Sequence, residues 1–132
     1  MSEPRGRPRM LVPIFWSYTG LLMIATHIPG STLPPVDFLW FDKLQHFTAY
    51  GLWTTLLLLS GLLGSGSYLK RASRALGWSF LLAVFDELLQ MIPILNRFAD
   101  PLDVAADVLG SVCAVCVVWV WERRRKSHTG DG

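Results

Sequence analysis

Charge is scarce in this 132-residue chain, in which only 17% of residues are Asp, Glu, Lys or Arg, against roughly a quarter in soluble domains. Long polar stretches are lacking too. Without one there is nothing to enclose a second, soluble core, and a separate catalytic domain is excluded. Two cysteines cannot frame a disulfide scaffold. The net charge of +2 is small and is distributed as membrane topology would distribute it, so nucleic acid is not an expected partner. No internal repeat or low-complexity tract is present.

What remains is apolar: 52% hydrophobic residues and six Trp, with a mean hydropathy of +0.38. Four segments, 10–28, 43–63, 75–93 and 102–121, each approach the about 20 residues that cross a hydrocarbon core of about 30 Å. Between them stand Pro29-Gly30 and Pro34-Pro35, then Gly61, Gly64 and Gly66, then Asn96-Arg97 and Asp100-Pro101, all turn chemistry. An open sheet edge cannot sit in lipid, and these runs are too long for barrel strands. The spacing predicts an all-α membrane protein, a single domain over 1–132 folded as a four-transmembrane-helix bundle.

Ten of the twelve basic residues lie on one side: Arg5, Arg7 and Arg9, then Lys70, Arg71 and Arg74, then Arg123, Arg124, Arg125 and Lys126. Cytoplasmic loops retain Lys and Arg, so both termini are expected on the cytoplasmic side of the membrane that the chain spans. Trp78, Trp119 and Trp121 then fall at the inner interface and Trp40 at the outer one. The first segment follows arginines as a signal peptide does, but Thr26-His27-Ile28-Pro29-Gly30 lacks an A-x-A site, so it is expected to stay as a span.

Lys43 and Arg97 are the exceptions on the outer side, where seven of ten acids also fall: Asp37, Asp42, Asp86, Glu87, Asp100, Asp103 and Asp107. Each ionisable group at membrane depth costs about 2.5–3.5 kcal/mol on insertion scales and needs a partner or water. Helical spacing supplies partners. Asp42, His46, Tyr50 and Trp53 share a stripe; so do Ser79, Ala83, Asp86 and Gln90, with Glu87 beside them; so do Asp100, Asp103, Asp107, Gly110, Ala114 and Val117. On the first segment the expected inward line is Trp16, Gly20, Met23 and His27.

Asp42-Lys43-x-x-His46-Phe47 with Tyr50, then Glu87-x-x-Gln90, then Arg97 with Asp103, Asp107 and Gly110, in that order, resemble the VanZ-like family over essentially the whole chain. Asp107 departs from it, since the family more often has Asn there. The resemblance implies a four-helix bacterial membrane protein, from a family named for a member associated with teicoplanin resistance. It transfers no catalytic residue.

The residues themselves leave several chemistries open. Lys43 and Arg97 suit an anionic ligand, such as the phosphate or carboxylate of a lipid-linked envelope molecule, with His27, Asp42, His46, Tyr50, Asp86, Glu87, Gln90, Asp103 and Asp107 setting geometry and protonation. A membrane enzyme with Glu87 or His46 as acid or base is the rival, although no nucleophile stands in a recognisable setting. A helper subunit with a purely structural polar core is the third, and local acids such as Asp42 and Asp100 are the alternative reason for Lys43 and Arg97 on that side, as interfacial ion pairs. A divalent metal has donors in His27, His46, Glu87, Asp103 and Asp107, but no HExxH or fixed ligand spacing, and no metal site is assigned. Cys113-x-x-Cys116 has redox spacing inside an apolar span and reads as packing.

Overall fold

A computed structural model describes residues 10–29, 39–95 and 99–129. Four α-helices follow one another: α1 (Leu11–Thr26), α2 (Leu39–Ser60), α3 (Tyr68–Gln90) and α4 (Pro101–Thr129), with a short 3-10 turn at Pro93–Leu95. The described residues include no strand, so the all-helical expectation holds. α2 and α3 begin earlier, and α4 ends later, than the apolar segments suggested, whereas α1, α2 and α3 stop short of the expected ends at 28, 63 and 93. α3 starts at Tyr68 because Ser67, extended at ψ 154°, caps it by accepting from the Lys70 backbone N–H. α4 continues through the basic run to Thr129, where Arg123 stacks over the Trp119 ring at 3.9 Å and Arg125 over Trp121 at 4.7 Å. Its start is set by Asp100, whose Oδ1 accepts from the Leu102 N–H at 2.9 Å, ahead of a proline that opens the helix without an orphan donor.

The largest interface joins α2 to α4; α3 leans on α4, and α1 rests mainly on α2. α2 and α4 approach closely because glycines face each other. A Cβ on Gly51 would lie 3.2 Å from the Gly110 carbonyl oxygen, and one on Gly110 would overlap the Phe47 carbonyl.

The apolar core is small: Phe15, Leu22, Tyr50, Trp53, Leu57 and Leu58 lead it, and Trp53 donates through Nε1 to Thr19 Oγ1 at 3.0 Å. This contact corrects the register expected for α1. Phe15 and Leu22 are its buried residues, while Trp16 is 59% exposed and Gly20 faces open space. Thr19 and Thr26 share the buried face with Phe15 and Leu22 and hydrogen-bond across it, but two hydroxyls in an otherwise apolar helix are a weak signal of its rotation. Val117 is also exposed, and Val118, four residues after Ala114, takes the inward place.

Among the described residues α4 alone is long and apolar enough to cross a bilayer by length and composition; α1 is a shorter apolar helix. α1 has 16 residues, about 24 Å of rise, and α2 and α3 carry the ionisable residues that lower their hydropathy.

Candidate functional site

The polar stripes of α2, α3 and α4 meet in the half of the bundle that holds the α3–α4 connection. At the mouth, Asp42 and Asp100 are 45% and 40% exposed in their side chains. Below them the Lys43 ammonium lies 2.5 Å from Asp100 Oδ2 and 3.5 Å from Asp42 Oδ2, and is hydrogen-bonded to Asp103 Oδ1. Lys43 is therefore held by three carboxylates, Asp42 of α2, Asp103 of α4 and Asp100 just ahead of α4. Its hydrogen bond keeps the Asp100 carboxyl below the ordinary carboxylate range.

One turn further in, His46 places Nδ1 3.0 Å from Asp107 Oδ1 and Nε2 3.9 Å from Asp103 Oδ2. His46, Asp103 and Asp107 are all buried. The Asp107 bond fixes which face of the imidazole is left for Asp103. Deeper still, Tyr50 is fully buried beside Asp86, Glu87 and Asp107, and its hydroxyl has no hydrogen-bond partner. Below it, Thr54 donates to Ser111 Oγ at 3.0 Å, and Ser111 and Ser79 approach to 2.5 Å, tying α2, α3 and α4.

Asp86 and Glu87 point to different partners, as adjacent helical residues about 100° apart must. Asp86 faces α1: Thr26 Oγ1 donates to its Oδ1 at 2.8 Å, His27 Nδ1 is 3.6 Å away, and Gln90 donates to its Oδ2 at 3.4 Å. Glu87 faces the start of α4, its Oε2 accepting from the Asp100 backbone N–H at 2.9 Å. The other Glu87 oxygen, Asp107 Oδ2 and His27 Nε2 are buried without partners.

Of the residues singled out from sequence, Asp42, Lys43, His46, Asp103 and Asp107 form one contiguous set, with Tyr50 and Glu87 beneath. His27, Asp86 and Gln90 form a second set against α1. Arg97 lies outside the described residues. Asp100 joins the first set and Thr26 the second; both went unassigned as site residues. The Asp-Pro start of α4 was a signal for Asp100, whereas a threonine at a helix end gave none for Thr26. Cys113 and Cys116 are free and exposed.

A second ion pair ties the opposite end of the bundle. Arg71, 5% exposed, donates through Nη2 to both Glu122 oxygens, at 2.9 and 2.7 Å. Tyr68 donates to the Val115 carbonyl at 2.5 Å, and burial raises the pKa of its hydroxyl. In the sequence Arg71 reads only as one of the basic residues that set topology, and nothing local marks its partner.

No curated protein and no solved structure matches the chain. The VanZ/LLP1 family model matches residues 4–122, a stretch that takes in all four helices up to the basic end of α4 and every residue of both polar sets, and the chain belongs to the VanZ/LLP1 family.

Proposed function

We propose that the chain is a four-span protein of the bacterial cytoplasmic membrane that binds the headgroup of a lipid-linked envelope molecule in an outward-facing polar cleft. The membrane reading is supported by an inside-out distribution. All four helices turn large apolar side chains outward, among them Ile24, Leu44, Leu81, Leu88, Leu109 and Val117, while His46, Asp86, Glu87, Asp103 and Asp107 are buried. Apolar surface on this scale marks contact with lipid or a partner. The bias of Lys and Arg favours cytoplasmic termini, and the family's association with glycopeptide resistance favours an envelope ligand.

The observation that carries the headgroup reading is the set of buried, unpartnered acceptors, Glu87 Oε1 and Asp107 Oδ2, with the Tyr50 hydroxyl beside them. Buried polar atoms are normally satisfied, and donors such as sugar hydroxyls or an amine would satisfy these. A shared anion site on Lys43 and Arg97 fits less well, because Lys43 is already neutralised by Asp42, Asp100 and Asp103. A phosphate would then fall to Arg97. The enzyme reading keeps one specific support, the orientation of His46 by Asp107, which is how a general base is held.

Mass spectrometry of lipid co-purifying with the detergent-solubilised protein tests the proposal. A lipid-linked sugar or phosphate enriched over bulk lipid in the wild type, and lost in Glu87→Gln with unchanged melting temperature, is the expected result. Bulk lipid alone in both proteins would refute it.

A further inference from the structure

Asp42, His46 and Asp103 each offer a ligand atom, and these atoms lie within 4.8 Å of one another. A divalent cation held at about 2.0–2.2 Å by each ligand requires separations no greater than about 4.4 Å. Small side-chain rotations close that gap. The place is already a cation site, since the Lys43 ammonium occupies the space among Asp42, Asp100 and Asp103.

Two further observations separate this cluster from an ordinary group of surface acids. His46 Nδ1 is tied to Asp107 at 3.0 Å, which turns Nε2 toward Asp103; a carboxylate on the far nitrogen is the usual support of a metal-binding histidine. Asp107 is 1% exposed, and its second oxygen has no partner, as is that of Glu87, a residue within electrostatic reach of His46 and Asp103. Three carboxylates, those of Asp42, Asp100 and Asp103, meet the single Lys43 ammonium here.

We propose that Asp42, His46 and Asp103 form a divalent-cation site in which the Lys43 ammonium is a resident competitor, displaced when metal enters past exposed Asp42 and Asp100. The donors are one imidazole nitrogen and carboxylate oxygens, a set suited to Mn²⁺ or Zn²⁺ rather than to Cu⁺. Lys43 has a flexible stem on which to withdraw. Its release would give the cleft a free ammonium beside a bound cation, two groups able to receive a phosphate that the metal-free arrangement repels. The site stands whether or not the bound molecule is a lipid.

The test is titration of the full-length, chelator-treated protein in detergent with Mn²⁺, read by electron paramagnetic resonance and by thermal shift. Mn²⁺ discriminates against Cys113 and Cys116. One saturable site per chain is expected, with a rise in melting temperature. His46→Gln and Asp103→Asn should each abolish it, and Asp107→Asn should weaken it by about 10–100-fold, as loss of an outer-shell partner does. Lys43→Met should bind about tenfold or more tightly than the wild type, the scale on which one neighbouring charge shifts such an equilibrium; Lys43→Gln serves if the Met variant is not monodisperse. Absence of saturable Mn²⁺ in both wild type and Lys43 variant, or binding unchanged in a monodisperse Asp103→Asn, would overturn the proposal.

Discussion

Asp107 on α4 holds His46 on α2 across 3.0 Å, and the side chains are 1% and 8% exposed. Removing one partner from such a pair leaves the other buried and unsatisfied, at a cost of about 3–5 kcal/mol when the remaining group is charged. Asp107→Leu should therefore destabilise strongly. Asp107→Asn retains an acceptor for Nδ1 and should cost about 1 kcal/mol. Urea or thermal unfolding of both in detergent checks the order; equal losses would show that the site is held by packing rather than by this bond.

The glycine contact gives a second contrast. Gly110→Ala drives a methyl into the Phe47 carbonyl, which is backbone and cannot swing aside, so a loss of about 1–3 kcal/mol is expected from overpacking. Gly77→Ala meets nothing within 4 Å and should stabilise α3 by about 0.5–1 kcal/mol through helix propensity. Opposite signs in a thermal melt are the expected outcome.

Acid should loosen the mouth of the cleft. The Lys43 hydrogen bond depresses the folded-state pKa of Asp100 below its ordinary value of 3.8, so the pair's stabilisation is present above that value and fades as pH falls through the lower, folded one. With Asp100 40% exposed, solvent screening limits the effect to about 1 kcal/mol or less. The melting temperature of Asp100→Asn should lie below that of the wild type at pH 6, and the difference should shrink near pH 3.

Arg71 binds Glu122 through one nitrogen shared by both carboxylate oxygens. Lys lacks the guanidinium's reach and planar donor array. Arg71→Lys should cost about 1–3 kcal/mol, the range of charged hydrogen bonds, while leaving Mn²⁺ titration at the far end unchanged. Parallel unfolding and titration measurements check both halves.

Topology is open to direct labelling. In a background with Cys113 and Cys116 replaced by alanine, a cysteine at position 31 should react with an impermeant thiol reagent in intact cells. One at position 65 should react only after permeabilisation. The reverse pattern would invert the proposed orientation.

The stripes on α2, α3 and α4 were legible in sequence because polar residues at three- and four-residue spacing stand out in an apolar helix. Asp42, His46, Tyr50, Asp86, Gln90, Asp103 and Asp107 could be placed on inward faces without knowing which helices touch. Partnership was not legible in the same way. That Lys43 also serves Asp103 depends on the α2–α4 contact, for which the small residues Gly110 and Ala114 on the inward stripe of α4 were the local clue. The rotation of α1 was missed by one residue, since Trp16 and Phe15 are equally apolar and only tertiary contacts with Trp53 and Asp86 choose between them. Arg71 and Glu122, 51 residues apart, looked like separate surface charges.

The backbone-to-backbone meeting of α2 and α4 has a mechanical consequence. Asp42, Lys43, His46, Asp103 and Asp107 all ride on those two helices, within about two turns of the Gly51–Gly110 contact or one further along. With no side chain between the two backbones there is little to compress and little to rotate, so this pair behaves as a stiff jaw whose spacing is set by main chain. α1, joined through Tyr18, Thr19 and Thr26 and through the buried Phe15 and Leu22, rests mainly on α2 and takes no part in setting that spacing.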